Sequence, residues 1–395
     1  MLANPQRFII LFAALQAFAS LSIDITLPAM PTMAADLLAS ETSVQSSISI
    51  FSLGLFLGMM LYGPLSDKYG RRPLMLGGIG LYILSTLACV FADSVTNLVF
   101  WRFMQAFGGA AAAVLSRAIV RDVFAPIEVA RVLSLMQLVS MIAVMVAPLC
   151  GAYLLSLGSW RWIFVFLSVF AIITAALVVL KVPETHIEGA RVDSLRATFK
   201  TYLVIYTDRK ALGYVMAMAM CFSGMFAYIT VSPFVFIEFY GLSTYEFSLI
   251  FGVNTFGVLL LSMLNAQWVR AKGSQYMLRI GASVCLLSGA LLLTCLVIEN
   301  HFWLLIVGLF LLVSCVALMG ANSIASLMNM YPQNSGAAAG LAVANQFGVG
   351  AAVAMLASAI YDGTSFALAL VIGVCGLATY GAFGLTQLSK HSTGS

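Results

Sequence analysis

Gly63-Pro64-Leu65-Ser66-Asp67-Lys68-Tyr69-Gly70-Arg71-Arg72-Pro73 gathers one acid, three bases, two glycines and two prolines into eleven residues. Apolar runs flank it, at about 43–63 and 74–93. Each is close to the roughly 20 residues that an α-helix needs to cross a bilayer. A charged, turn-forming segment between two such runs reads as a tight loop held in water between membrane-spanning helices. A generic loop would need neither both glycines nor an acid set among three bases.

Outward from this loop the same unit repeats. Further apolar runs fall at about 8–30, 97–121, 131–157 and 161–181, then at 211–238, 244–268, 277–298, 302–330, 334–361 and 364–388. The pattern predicts an all-α polytopic membrane protein with twelve spans. The longest polar stretch, Val182 to Lys210, falls between the sixth and seventh runs. It divides the chain into two six-helix halves, 1–181 and 211–390, joined by a linker at 182–210 and followed by a tail at 391–395. Transporters assembled from repeats have this organisation.

Composition agrees. Of 395 residues, 62% are hydrophobic and only 9% charged. A soluble domain keeps roughly 25% charged residues to hold its surface in water. Charge placement sets the expected orientation, because Lys and Arg stay on the cytoplasmic side of short loops. With the N-terminus inside, the cytoplasmic segments hold every base except Arg102 and Arg161, seventeen of nineteen. Both termini are therefore expected in the cytoplasm, with the acids Asp36, Glu41, Asp93, Glu246, Glu299 and Asp362 on the other side.

Two residue classes are expected to carry no special chemistry. The seven cysteines sit in apolar stretches without metal-ligand or redox spacing, and read as small core side chains. The three histidines, His186, His301 and His391, fall in loops or tails. No Walker loop, HExxH or nucleophile elbow occurs, which leaves no basis for an ATPase, a metalloprotease or a serine hydrolase. The run Phe8 to Leu21 lacks a cleavage signature and reads as a retained first helix.

Asp24 is the one carboxylate well inside a predicted span. An ionised carboxylate in the apolar layer is expensive, so such residues face a cavity or a partner. At about 1.5 Å per residue, Asp24 stands roughly 24 Å along the first helix from Phe8. Arg102 lies in the first two turns of the fourth span, at similar depth. An Asp24–Arg102 pair would either fix helix packing or break on protonation and tilt the balance between two conformations. Burial and a neighbouring cation pull such a carboxyl in opposite directions, which is how a site becomes poised to load and release a proton.

The opening loop resembles the signature loop of the major facilitator superfamily, G-x-L-x-D-x-x-G-R-R/K. Arg102-Phe103-Met104-Gln105-Ala106 is similar to the R-x-x-Q-G motif of drug:proton antiporters, with Ala106 in the place of Gly and looser packing expected there. Ala143, Ala147, Pro148, Gly151 and Ala152 match the antiporter pattern G-x-x-x-G-P-x-x-G-G with three alanines for glycines. Small residues at that spacing let helices approach closely, and Pro148 supplies a kink. Finer matches resemble the bicyclomycin/chloramphenicol-resistance exporters. They are Leu21 to Pro31, Arg121-Asp122, Ser159-Trp160-Arg161 and Pro233 to Glu238. In the second half the signature loop is reduced to Arg270-Ala271-Lys272-Gly273, without an acid.

The resemblance implies the major facilitator fold and roles for particular residues. Asp24, with Arg102, would couple protons to transport. Gly63, Asp67, Gly70, Arg71, Arg72 and Asp122 would gate the cytoplasmic side, with Arg71 pairing to Asp122 and Asp67 approaching the start of the eleventh span near Ser335-Gly336. Ala147, Pro148 and Gly151 would pack the antiporter helix. Polar and aromatic residues within spans are candidates for a broad substrate cavity: Gln45, Gln105, Gln137, Phe226, Tyr228, Asn254, Asn265, Asn322, Asn345 and Gln346.

The expected function is export of small drug-like molecules across the bacterial inner membrane by proton antiport. It would proceed as a monomer in the lipid bilayer, with no cofactor, metal or nucleic acid. A proton-coupled carrier for an amino acid, dipeptide or sugar on the same fold is the alternative. An intramembrane enzyme or sensor finds no supporting motif.

Overall fold

A computed structural model describes residues 5–124, 126–185, 195–298 and 302–388. The three histidines, Gly189, Arg191, Glu299, Lys390 and the 391–395 tail lie outside the described residues. Among those described, the chain is helical without a strand, and twelve helices are long and apolar enough to cross a membrane. Spans one to six are Phe8–Asp36, Glu41–Tyr69, Arg71–Val90, Val95–Val123, Arg131–Ser156 and Arg161–Lys181. Spans seven to twelve are Arg209–Phe239, Thr244–Lys272, Ser274–Thr294, Phe302–Met330, Pro332–Ala359 and Phe366–Gln387. Large exposed apolar side chains such as Leu84, Phe100, Ile173 and Phe256 are accounted for by lipid contact.

The chain forms two compact units, Met1–Asp193 with Leu242–Leu249, and Ser194–Gly241 with Ile250–Ser395.

In the first unit, span one is not one continuous helix. The helix Pro5–Asp24 stops, a 3-10 turn covers Leu27–Ala29, and a short helix runs Met30–Asp36. Pro28 and Pro31 lack the N–H groups that an unbroken ladder would need, and Thr26 Oγ1 closes the break by donating to the Ile23 carbonyl at 2.7 Å. Span one therefore extends past the residue 30 expected from hydropathy, and Asp36 ends a helix rather than sitting in a loop. Span two begins at an N-cap, where Ser40 Oγ accepts from the Ser43 N–H at 3.2 Å. It ends at Gly70, whose φ of +93° suits a residue without a Cβ.

Spans two and four lie backbone to backbone. A Cβ on Gly54 would stand 2.6 Å from the Phe103 carbonyl oxygen and 3.0 Å from the Ala106 Cβ. The looser packing expected at Ala106 is absent. Its methyl group is wholly buried and fills the space that a smaller residue would leave.

In the second unit, the segment read as a polar linker contains a helix, Leu195–Thr207. Tyr202 and Ile205 are buried on one side of it, while Leu203 and Val204 are exposed on the other. Its amphipathic spacing is diluted by flanking charges, which hides it from a hydropathy reading. Span seven starts where Asp208 Oδ1 accepts from the Lys210 and Ala211 N–H groups at 2.8 and 3.2 Å. It ends in a π-helical turn, Phe234–Phe239, directly after Pro233.

Candidate functional site

Asp24 and Arg102 are the buried charged residues among those described, 3% and 2% exposed. The expected ion pair between them is not formed, because the three ion pairs among the described residues all lie elsewhere. Asp24 ends the first helix of span one, and no described residue gives its carboxyl a hydrogen bond. Arg102 Nη1 instead donates to the Ser22 carbonyl at 3.0 Å and to Gln105 Oε1 at 2.8 Å. The guanidinium carbon stands 4.2 Å from the centre of the Phe51 ring and 5.9 Å from that of Phe164. Arg102 is thus held by dipoles and aromatic faces, two residues short of the acid at a similar depth.

A network extends from this point. Gln105 Nε2 donates to Thr86 Oγ1 at 2.8 Å, and Thr86 Oγ1 donates to the Tyr82 carbonyl at 2.6 Å. The Tyr82 hydroxyl and Ser22 Oγ share a hydrogen bond at 2.6 Å. Spans one, three and four are tied together by these bonds, all of them sheltered from water. Breaking one partner would leave a buried polar group unsatisfied, which is the costly direction.

Span five closes the other side of Asp24. A Cβ on Gly151 would overlap the Ile25 carbonyl oxygen and stand 3.2 Å from Pro28 Cγ. Ala147 and Pro148, one turn earlier on the same helix, are buried too. The small-residue stretch of span five therefore presses on the turn that follows the acid.

At the opposite end of the first unit the signature loop forms a charge cluster. Arg71 Nη1 meets Asp67 Oδ1 at 2.5 Å, and Arg71 Nε meets Asp122 Oδ2 at 3.1 Å. The Arg71 guanidinium also donates to Ser66 Oγ. The expected Arg71–Asp122 contact is thus made, with Asp67 sharing the same arginine. Arg72 reaches the Val179 carbonyl at 2.7 Å. Gly63 contributes its carbonyl, which accepts from Ser66 Oγ at 2.7 Å, and no close neighbour demands a glycine there.

Glu184 is the residue that sequence reasoning missed. Its carboxylate accepts the Arg71 N–H at 3.0 Å and the Arg72 N–H at 3.1 Å, capping the start of span three. A Cβ on Gly70 would stand 2.8 Å from Glu184 Oε2, so the glycine leaves room for this acid. Thr185 Oγ1 adds a bond to Asp122 at 3.3 Å. A carboxylate at a helix start is favoured by the exposed N–H groups and the dipole. The signal was present as an acid just after the Lys181 end of span six, but its partner lies more than a hundred residues away.

The expected cavity residues are largely occupied with one another. Gln137 accepts from Gln16 Nε2 at 2.7 Å, and Gln105 serves Arg102. In the second unit Asn254 Nδ2 donates to the Tyr228 hydroxyl at 2.9 Å, and Asn322 Nδ2 to Asn265 Oδ1 at 2.8 Å. Asn345 bonds Tyr206 of the linker helix. Gln346 is partly exposed. Phe226 stacks on Phe222 at 4.9 Å between centroids, and Phe347 meets both edge-on. Gln45 differs from the rest: it is fully buried, and neither amide atom has a partner. All seven cysteines are free thiols, and no metal-binding cluster occurs among the described residues.

Comparison with known proteins gives a consistent result. Residues 12–355 match the Major Facilitator Superfamily. The chain is 32% identical over 369 residues to a bicyclomycin resistance protein homolog of Haemophilus influenzae, covering 93% of each. It is 30% identical over 290 residues to a chloramphenicol resistance protein of Pseudomonas aeruginosa, covering 72% of this chain and 67% of that one. Among solved structures, a D-xylose-proton symporter superposes with a TM-score of 0.74 at 16% identity, covering 96% of this chain and 97% of that one. At that identity the likeness speaks for the fold alone.

Proposed function

This chain belongs to the Major Facilitator Superfamily and is a multi-pass membrane transporter rather than an enzyme, and we propose that it exports small drug-like molecules in exchange for protons. The observation that carries the coupling half is the carboxyl of Asp24, buried in span one without a partner, beside a buried Arg102 bonded to Ser22. A buried carboxyl with no donor in reach is tolerated when it is neutral and penalised when it ionises. Proton loss from Asp24 would therefore draw the Arg102 guanidinium two residues along span one, off the Ser22 carbonyl. That shift gives the protein two arrangements whose balance depends on one proton.

The names of the relatives support the substrate half. Bicyclomycin and chloramphenicol are neutral, compact and rich in hydrogen-bonding groups, which suits a site with few charges. The Phe222, Phe226 and Phe347 cluster, with Tyr228, Asn254, Asn322, Asn345 and Gln346, supplies apolar contact and a few polar groups in the second unit. Asp67, Arg71, Arg72, Asp122 and Glu184 act as a lock whose charges bias conformation without touching substrate. We propose that the protein works as a monomer in the bacterial inner membrane, and the asymmetry of its basic residues supports placing both termini in the cytoplasm.

Lightly buffered, purified protein should release protons when chloramphenicol or bicyclomycin is added. Asp24→Asn should bind the drug and release none. Native proton release and export by Asp24→Asn would show that the assignment is wrong.

A further inference from the structure

The helix Leu195–Thr207 stands near the start of the second unit, and its two sides are used unequally. Tyr202 and Ile205 are buried where it packs on spans seven and eleven. Leu203 and Val204, on the other side, are 67% and 49% exposed. The helix contains no acid. From Leu195 to Lys210 the bases are Arg196, Lys200, Arg209 and Lys210, and the one acid is Asp208. Four bases against one acid leave a net charge of +3 on the segment. That acid is already engaged: it caps span seven and accepts from the Tyr331 hydroxyl at 3.2 Å.

Two hydrogen bonds within the second unit set the depth of this helix. The Tyr206 hydroxyl accepts from Asn345 Nδ2, ten residues into the helix Ser335–Ala359 and so about 15 Å along it. Asp208 is tied to Tyr331, the residue before span eleven begins. These anchors bracket the first three turns of span eleven. The end of Leu195–Thr207 therefore lies level with those turns rather than beyond them in open water. Helices that lie in a membrane surface sink their apolar side about 5–10 Å into the boundary between headgroups and acyl chains. Tyr206, with an apolar ring and a polar tip, is a side chain suited to that layer.

We propose that Leu195–Thr207 is an interfacial helix that docks on anionic phospholipid. Leu203 and Val204 enter the edge of the acyl layer, and the bases of the segment hold the phosphate headgroups. Arg196 and Lys200 precede Leu203 by seven and three residues, spacings that share one side of a helix. A lipid surface meets both features of the segment at once, an apolar layer beside negative charge. A second copy paired through the same face would set +3 against +3, which like-charge repulsion disfavours. The docking depends neither on Asp24 nor on what the protein transports.

The test uses full-length protein freed of its native cysteines, with Leu203→Cys carrying bimane, in bilayers of phosphatidylcholine and phosphatidylglycerol. Bromine on the acyl chains quenches a fluorophore that it touches. With every lipid brominated, bimane at 203 should be quenched like bimane at the exposed Ile173 of span six. With a minority of the lipid brominated, phosphatidylglycerol should out-compete phosphatidylcholine by about fivefold or more, the worth of one engaged charge. Arg196→Gln with Lys200→Gln should remove most of that preference and leave quenching in the fully brominated bilayer unchanged. Quenching by aqueous iodide in place of bromolipid would put the face in water and overturn the proposal. Protection from both quenchers would mean that protein, a second copy included, covers the face, with the same result. Equal quenching by the two lipids would overturn the choice of anionic headgroups. Should Leu203→Cys fail to fold, Val204→Cys on the same exposed side decides in the same way.

Discussion

Gly151 of span five lies against the carbonyl of Ile25, the residue that follows Asp24, so closely that a Cβ on the glycine would overlap the oxygen. The small-residue stretch around Pro148 thereby holds the turn that ends the first helix of span one. The packing of span five and the position of the buried acid are one structural fact.

Gly151→Ala should therefore act on the acid as well as on stability. The added methyl must displace the Ile25 turn, and overpacking of this kind costs about 1–3 kcal/mol. We expect a lower melting temperature in detergent and loss of pH-driven export, with drug binding less affected. The same change at Gly63, where nothing stands within 4 Å of the new methyl, should leave both properties near native. Equal behaviour of the two variants would count against Gly151 as a positioning contact.

The charge cluster at the other end of the unit makes a different prediction. Asp67→Asn, Arg71→Ala and Glu184→Gln should each slow transport more than they weaken drug binding. Shifting the balance between two states alters turnover, while affinity changes only with the competent fraction. Glu184→Gln also removes a charge from a helix N-terminus, for which about 0.3–1 kcal/mol is typical. Flux in vesicles compared with affinity in detergent decides the matter, and parallel losses in folded protein would argue against a lock.

Orientation can be checked by labelling single cysteines in a background otherwise free of them, using an impermeant maleimide on intact cells. Asp36 is unsuitable, because it accepts from Trp160 Nε1 at 2.9 Å and from Arg161 Nη1 at 2.6 Å. Leu38, 96% exposed, is the better outer position. Leu38→Cys should label from outside and Gly189→Cys only after lysis. Labelling of position 189 in intact cells would reverse the topology.

How far the sequence carried these conclusions differs from residue to residue. Twelve spans were legible because hydropathy over about 20 residues is a bulk property. The Arg71–Asp122 contact followed from a resemblance, and the structure makes it. Glu184 escaped notice because its value comes from where the chain folds back, and local spacing is silent on that. The helix at Leu195–Thr207 escaped because its apolar side is short and its surroundings charged. Asp24 and Arg102 were rightly put at one depth, yet depth did not choose the hydrogen bonds. Arg102 takes a carbonyl and an amide one turn along its own helix in preference to the acid, an outcome fixed by packing around Phe51 and Phe164.

That choice sharpens the last prediction. With the pair unmade, Asp24→Asn removes no ion pair, so it should leave thermal stability close to native. Arg102→Met should be destabilising, because the Ser22 carbonyl and Gln105 Oε1 lose a buried donor. In a stability cycle the two changes should add to within about 0.5 kcal/mol, as independent sites do. Transport should behave otherwise. If ionised Asp24 draws Arg102 to itself during the cycle, the two residues act as a unit, and the double variant should export no worse than Asp24→Asn alone. Additive stability with non-additive transport is the signature of a contact made only in the other state. Coupling of more than about 1 kcal/mol in melting experiments would mean that the pair already exists at rest, and full additivity in transport would mean that it never forms.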